Sequence, residues 1–216
     1  KNYIHHVGRA FYIPRELNGG FTGVDRLYYT KIHSNLCVNI GRNEGFQTWL
    51  IYFLPQDQAV VQAETQHFYF QNNTCVANPD ITVNTWCGAM LPNVTQMSNI
   101  EYDNNIIVGF DKGGIVAEYA RTKADNIRVR KNLIYDCGNN NQPYYDAAFN
   151  SSLTNYTFVA GPTTSPQFVS STDFHLQSSS PAIGQGVNVG LLTDYDGNYW
   201  KTPPSIGCYE YYASTP

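Results

Sequence analysis

Asp194-Tyr-Asp-Gly-Asn198 carries side-chain oxygens at the spacing that opens a calcium-binding loop, but no Glu follows at the distance needed to close the coordination shell. The segment reads as a turn. His5-His6 offers two imidazoles, suited to a metal or to general base work. Adjacent residues of a strand point to opposite faces, so the two do not chelate together. The five cysteines, Cys37, Cys75, Cys87, Cys137 and Cys208, show no Cys-x-x-Cys spacing, which argues against structural zinc, and their odd number leaves at least one thiol unpaired within the chain. Aromatic residues gather late, as Tyr144-Tyr145, Tyr195, Tyr199-Trp200 and the run from Tyr209 to Tyr212. Exposed rings there would stack on sugars or bury at a subunit contact, and the alternative is packing of the end of the fold. Glycosylation triplets stand at Asn72, Asn93, Asn150 and Asn155, and a chain with 22 Asn produces such triplets by chance. No Gly-x-Ser-x-Gly elbow, phosphate-binding loop or dinucleotide fingerprint occurs. Paired acids for glycoside hydrolysis would be a spatial arrangement with no linear signature.

These groups need elements to hold them, and composition narrows which. With 17 acidic and 13 basic residues in 216, the chain lacks the basic excess that nucleic acid binding requires. No apolar run reaches the length of a membrane span. Seventeen Tyr, 22 Asn and 17 Gly against 14% charged residues point to short strands and turns rather than helices. The chain opens at Lys1 with no initiator Met or signal peptide, so processing or a longer parent is expected.

Internal repetition supplies the organisation. Segments 29–38, 67–76, 99–108 and 126–135 align without gaps, and Asn2-Tyr-Ile opens a partial fifth copy. Asn2, Asn35, Asn73, Asn105 and Asn132 occupy one shared position, spaced 33, 38, 32 and 27 residues apart. Before each Asn, apolar and polar residues alternate, as in Ile100 and Tyr102 or Ile127 and Val129, which is the period of a half-buried strand. Two residues after it a second apolar series begins, with Ile4, Cys37, Cys75, Ile107 and Ile134. A third apolar stretch, such as 49–54 or 114–119, lies between copies. Three short strands per repeat with a corner Asn describe the rung of a parallel β-helix, because Asn tolerates a left-handed backbone and its amide reaches the next rung.

At this point the sequence resembles the right-handed parallel β-helix superfamily, and the tail adds to the match. Asp173-Phe-His-Leu-Gln-Ser-Ser-Ser-Pro-Ala-Ile183, Thr193-Asp-Tyr-Asp-Gly-Asn198 and Ile206-Gly-Cys-Tyr-Glu210 are similar to the closing segment of secreted or surface-attached β-helix proteins, several of them polysaccharide lyases. Cys208 stands where that pattern has Ala. The resemblance implies an all-β, right-handed parallel β-helix of about five rungs over residues 1–160, with 161–216 as a C-terminal cap or tail of the same domain. It implies an extracellular or cell-surface setting and a polysaccharide or surface glycan as partner. A lyase of this kind acts on a uronic-acid glycan with Lys or Arg as base and commonly a cation such as Ca2+. Arg121, Lys123, Arg128 and Arg130 are the basic candidates, with Arg121 and Lys123 expected in a loop, and Tyr144, Tyr145, Tyr199 and Trp200 are the sugar-stacking candidates. The paired Lys/Arg signatures of alginate and chondroitin lyases and the Asp-Pro-His-Asp motif of mannuronan epimerases are absent, so no family catalytic residue carries over. The alternative is a non-catalytic structural or adhesive subunit of an extracellular assembly or filament.

Stacking makes further expectations. Cys37 and Cys75 become vertical neighbours, read as two reduced core thiols, with Cys75 to Cys87 as the other pairing. Glu101 falls over Arg128 and Asp103 over Arg130 as ion pairs between rungs. A parallel coil has two open ends. The tail is expected at the C-terminal one, and further rungs before Lys1 or another subunit at the other.

Overall fold

The computed structural model describes residues 1–5, 9–13, 25–40, 48–53, 63–77, 85–90, 96–110, 113–116, 123–138, 144–145 and 153–213. Among these there is no helix. Fifteen strands follow one another: β1 (Tyr3–His5), β2 (Arg9–Ile13), β3 (Asp25–His33), β4 (Leu36–Ile40), β5 (Thr48–Phe53), β6 (Ala63–Gln71), β7 (Thr74–Ala77), β8 (Thr85–Met90), β9 (Gln96–Asp103), β10 (Ile106–Val108), β11 (Ile115–Val116), β12 (Lys123–Arg130), β13 (Leu133–Tyr135), β14 (Tyr144–Tyr145) and β15 (Leu153–Val159). They form three five-stranded sheets, ordered β1-β4-β7-β10-β13, β2-β5-β8-β11-β14 and β3-β6-β9-β12-β15. Every pairing is parallel, each strand with the one three places on. The chain therefore visits three sheets in fixed rotation, an all-β arrangement compatible with a β-helix-like fold.

Register turns the sequence repeat into columns of buried side chains. In the first sheet Ile4 pairs with Cys37, Cys37 with Cys75, Cys75 with Ile107 and Ile107 with Ile134. In the third sheet Phe68, Ile100 and Ile127 form one fully buried column, and Phe70, Tyr102 and Val129 the next. Tyr102 sits between both Phe rings, with centroids 5.9 Å and 5.8 Å away. Each such side chain contributes about 1.5–3 kcal/mol when fully buried. The thiols of Cys37 and Cys75 are both free and buried, as expected of core packing. The side chain of Cys87 lies outside the described residues.

The corner before Asn35, Asn73, Asn105 and Asn132 is made by Ser34, Asn72, Asn104 and Lys131, with φ of 50°, 51°, 57° and 54°. A left-handed residue costs about 1–2 kcal/mol for most side chains and less for Asn. Tyr29, His67, Asn99 and Asn126, the first residues of the four aligned segments, are also left-handed, at φ 51° to 55°. They interrupt the register of β3, β6, β9 and β12 at one level, so each long strand bends at the same place.

After β15 the tail runs along the outer face of the first sheet. Ile106 and Leu133 pack with Leu176, Ala182 and Ile206, while Leu36 and Val38 pack with Cys208 and Tyr209. That cover explains why successive residues of β4 are buried on both faces. Gly207 has φ +99°, and a Cβ there would meet Ile106 Cδ1 at 2.6 Å and Thr74 Oγ1 at 2.8 Å, so this close approach requires glycine. These tail contacts lie on the flank of the stack, while its first residues meet the last strand of the first sheet, where the Ile134 N–H donates to the Pro162 carbonyl at 3.3 Å.

Candidate functional site

The asparagine ladder is the geometric frame of the site. Asn2 Nδ2 donates to Asn35 Oδ1 at 3.0 Å, Asn35 to Asn73 at 2.9 Å, Asn73 to Asn105 at 3.0 Å and Asn105 to Asn132 at 2.8 Å. Each receiving oxygen from Asn73 onward also accepts the backbone N–H of the Asn above it, at 3.0–3.1 Å. The second amide hydrogen of Asn73, Asn105 and Asn132 goes to the carbonyls of Ile32, Phe70 and Tyr102. Asn35, Asn73, Asn105 and Asn132 are buried, and this pattern satisfies corner groups that would otherwise be orphaned.

Beside the ladder, the outward face of the third sheet carries the charged column. Arg128 Nη1 lies 2.9 Å from Glu101 Oε1. Arg130 binds Asp103 through two nitrogens, Nε to Oδ1 at 2.9 Å and Nη2 to Oδ2 at 2.7 Å, and reaches Glu101 at 3.4 Å. Gln71 Nε2 donates to Glu101 at 3.0 Å. Asp103 is wholly buried, and loss of water raises its carboxyl to about 6 even though Arg130 pulls the other way. The hydrogen bond to Asp103 raises Arg130 further above its ordinary value, burial opposing it. A guanidinium chelated in this way is a fixed cation and no proton acceptor. Both inter-rung pairs read from the sequence are present, and both Arg candidates are engaged in them.

The other candidates divide. Arg121, Asn93 and Asn150 lie outside the described residues. Lys123 opens β12 rather than lying in a loop, and Tyr144 and Tyr145 are β14. The side chains of these three and of Asn155 in β15 are outside the described ones. Asn72 is 1% exposed, its Nδ2 facing the Ser205 and Gly207 carbonyls and its Oδ1 accepting from Asn104. A glycan on that nitrogen would displace the tail. Tyr199 is 73% exposed, and Trp200 beside it is half-buried.

The tail's own polar residues hold it in shape. Asp194 accepts the N–H groups of Asn198 at 2.8 Å and Glu210 at 3.0 Å, so its carboxylate is used in a turn. Glu210 accepts from the N–H groups of Lys201, Ser205 and Tyr211 and from the Ser205 hydroxyl. His175 bridges Asp173 through Nδ1 at 2.5 Å and Asp196 through Nε2 at 2.8 Å, with its ring 4.0 Å from that of Tyr209. Burial lowers the imidazole's affinity for a proton, but Asp196 and Asp173 outweigh it and its pKa is raised. The reading of the sequence missed this bridge. Asp173 and His175, two apart, were a local signal; Asp196 becomes a partner only when the tail folds back. Among the described residues no group of three or more His, Cys, Asp or Glu is arranged to hold a metal ion. No helix among them is long and apolar enough to cross a membrane.

Compared with protein-family models, with curated proteins and with solved structures, the chain has no match.

Proposed function

We propose that the chain is the C-terminal part of a right-handed parallel β-helix protein of about five rungs, of the secreted or surface-attached, polysaccharide-lyase-like kind, and that it faces a polysaccharide outside the cell. The observation that carries this reading is the use made of the tail pattern. Leu176, Ala182 and Ile206 bury against the first sheet, Gly207 allows the closest approach, and Asp194 and Glu210 collect the main-chain donors. A pattern whose fixed positions each have such a task supports kinship with proteins that share it. Fold alone would not carry function, since one scaffold hosts many. Within this segment the engagement of Arg128 and Arg130 by Glu101 and Asp103 favours holding a glycan over cleaving it. Were the chain to cleave instead, Arg121 and Lys123 would be its remaining basic candidates. Incubation with alginate, pectate and glycosaminoglycans, followed by ultraviolet absorbance of the unsaturated product, tests the division: this chain yields no product, and product formation by it would overturn the non-cleaving role.

The structural or adhesive reading also has an observation in its favour. Tyr28 and Tyr29 on β3 are 40% and 76% exposed at one edge of the third sheet, and Phe158 and Val159 on β15 are 44% and 37% exposed at the other. Apolar side chains at both edges suit end-to-end contacts between copies.

A further inference from the structure

Glu101 and Asp103 stand two apart on β9, so their carboxyls share the outward side of the third sheet. They draw on the same donors. Arg130 Nη2 lies 2.7 Å from Asp103 Oδ2 and 3.4 Å from Glu101 Oε2. Gln71 Nε2 lies 3.0 Å from Glu101 Oε2 and 3.5 Å from Asp103 Oδ2. The same two oxygens therefore meet both nitrogens, which holds the carboxyls within hydrogen-bond reach of each other. Two carboxylates in that contact repel, and one proton between them turns the repulsion into a bond.

Burial gives the two acids different parts. The Asp103 side chain is wholly enclosed, whereas that of Glu101 is 14% exposed and offers a proton its way to water. Among the described residues, the charged and titratable groups facing the pair are Arg128 and Arg130 on β12, Tyr69 on β6 and, one rung further, Lys31 and His33 on β3. The guanidiniums favour two carboxylates. Burial keeps Tyr69 protonated beyond its ordinary range and, with Lys31, lowers the proton affinity of His33. Loss of water at Asp103 outweighs the pull of Arg130, and Glu101 adds to it, so the Asp103 carboxyl is raised to about 6. We propose that Glu101 and Asp103 act as one acid that keeps a single proton in mildly acidic surroundings and releases it as they turn neutral, so that the third sheet is firmer on the acidic side. On release the O–H bond of Asp103 breaks and the proton passes by way of Glu101 to water. Two carboxylates then remain against Arg128 and Arg130. An acid that binds its proton more tightly in the folded chain stabilises the fold fully below its ordinary value, and that contribution is lost as pH rises through about 6. This device is independent of the carbohydrate-facing reading.

The test is nuclear magnetic resonance of the side-chain carboxyl carbons in the ¹³C-labelled chain, assigned through the backbone and followed across a pH titration. Asp103 is expected to titrate at about 6, with the Glu101 signal moving in the same step, and Glu101→Gln should bring the Asp103 midpoint down toward the usual carboxylate range. Urea unfolding supplies the second reading. The folding equilibrium constant of the unaltered chain, divided by that of Asp103→Asn, should be about tenfold larger at about pH 5 than at about pH 7.5. His33 and His175 titrate in both chains, so the ratio isolates the acid pair. An Asp103 midpoint in the usual carboxylate range overturns the proposal. So does a midpoint that Glu101→Gln leaves in place, which would mark Asp103 as a lone buried acid, or an equal ratio at the two pH values. If Asp103→Asn does not fold, the carboxyl titrations of the unaltered chain and of Glu101→Gln decide.

Discussion

Asn105 shows how much one side chain does in this stack. Its amide group bonds Asn132 and Phe70 and receives two donors from Asn73. Asn105→Ala leaves at least two buried donors unpaired, so urea unfolding should give a loss of about 2–4 kcal/mol. Asn2 is exposed at the end of the same ladder, and Asn2→Ala should cost less than about 1 kcal/mol. Equal losses would contradict a buried, cooperative ladder. The charged column divides in the same way. Arg130→Met strands Asp103, which is wholly buried, and should cost about 3–5 kcal/mol. Arg128 is 39% exposed, and Arg128→Met should cost about 1 kcal/mol or less in the same measurement. At this scale residue type decides little; burial of the partner decides most.

Among elements, the tail has a pH response of its own. His175 has a raised pKa, so its contribution is complete below its ordinary value of 6.5 and is lost as pH rises through the higher folded value. Asp173 is lowered by its bonds to His175, so its contribution holds above the usual carboxylate range and is lost as pH falls through the depressed value. The pair of Asp173 and His175 therefore holds best between those two points. Hydrogen exchange over 173–177 and 194–198, corrected for intrinsic rate, should lose up to about fivefold protection between about pH 6 and about pH 8, and His175→Gln should flatten that dependence. An unchanged profile in the variant would rule the bridge out as the cause. The elements also mark what could be read in advance. The five ladder Asn, the apolar columns and the two ion pairs were legible because stacking maps one repeat onto the next. The first residues of the aligned segments, Tyr29, His67, Asn99 and Asn126, were visible as a column but not as a bend, because Tyr and His are not signals for a left-handed backbone. The flank contacts of the tail were not legible, because Leu36 meets Cys208 only through tertiary folding. Lys123 was assigned to a loop because a charged residue at a strand start resembles loop composition, and pairing with Gln96 puts it in β12.

The molecule as a whole is a stack whose flanks differ in chemistry. One flank is the first sheet, covered by the tail. Another is the third sheet with its fixed column of two carboxylates and two guanidiniums. A cleft beside Trp200 lies between two tail segments and the corner residue Asn72. A parallel stack of this kind gains specificity from columns that repeat and variety from the segments that do not. In its proposed function this surface holds a polysaccharide without cutting it. Affinity electrophoresis of the chain through native gels cast with alginate, pectate, neutral glucans or galactans tests it most directly. The expected result is retardation by at least one of these polymers, growing with polymer concentration and unaccompanied by any fall in polymer length. Equal mobility in every gel, with self-association in solution, would contradict it and leave the molecule an assembly subunit.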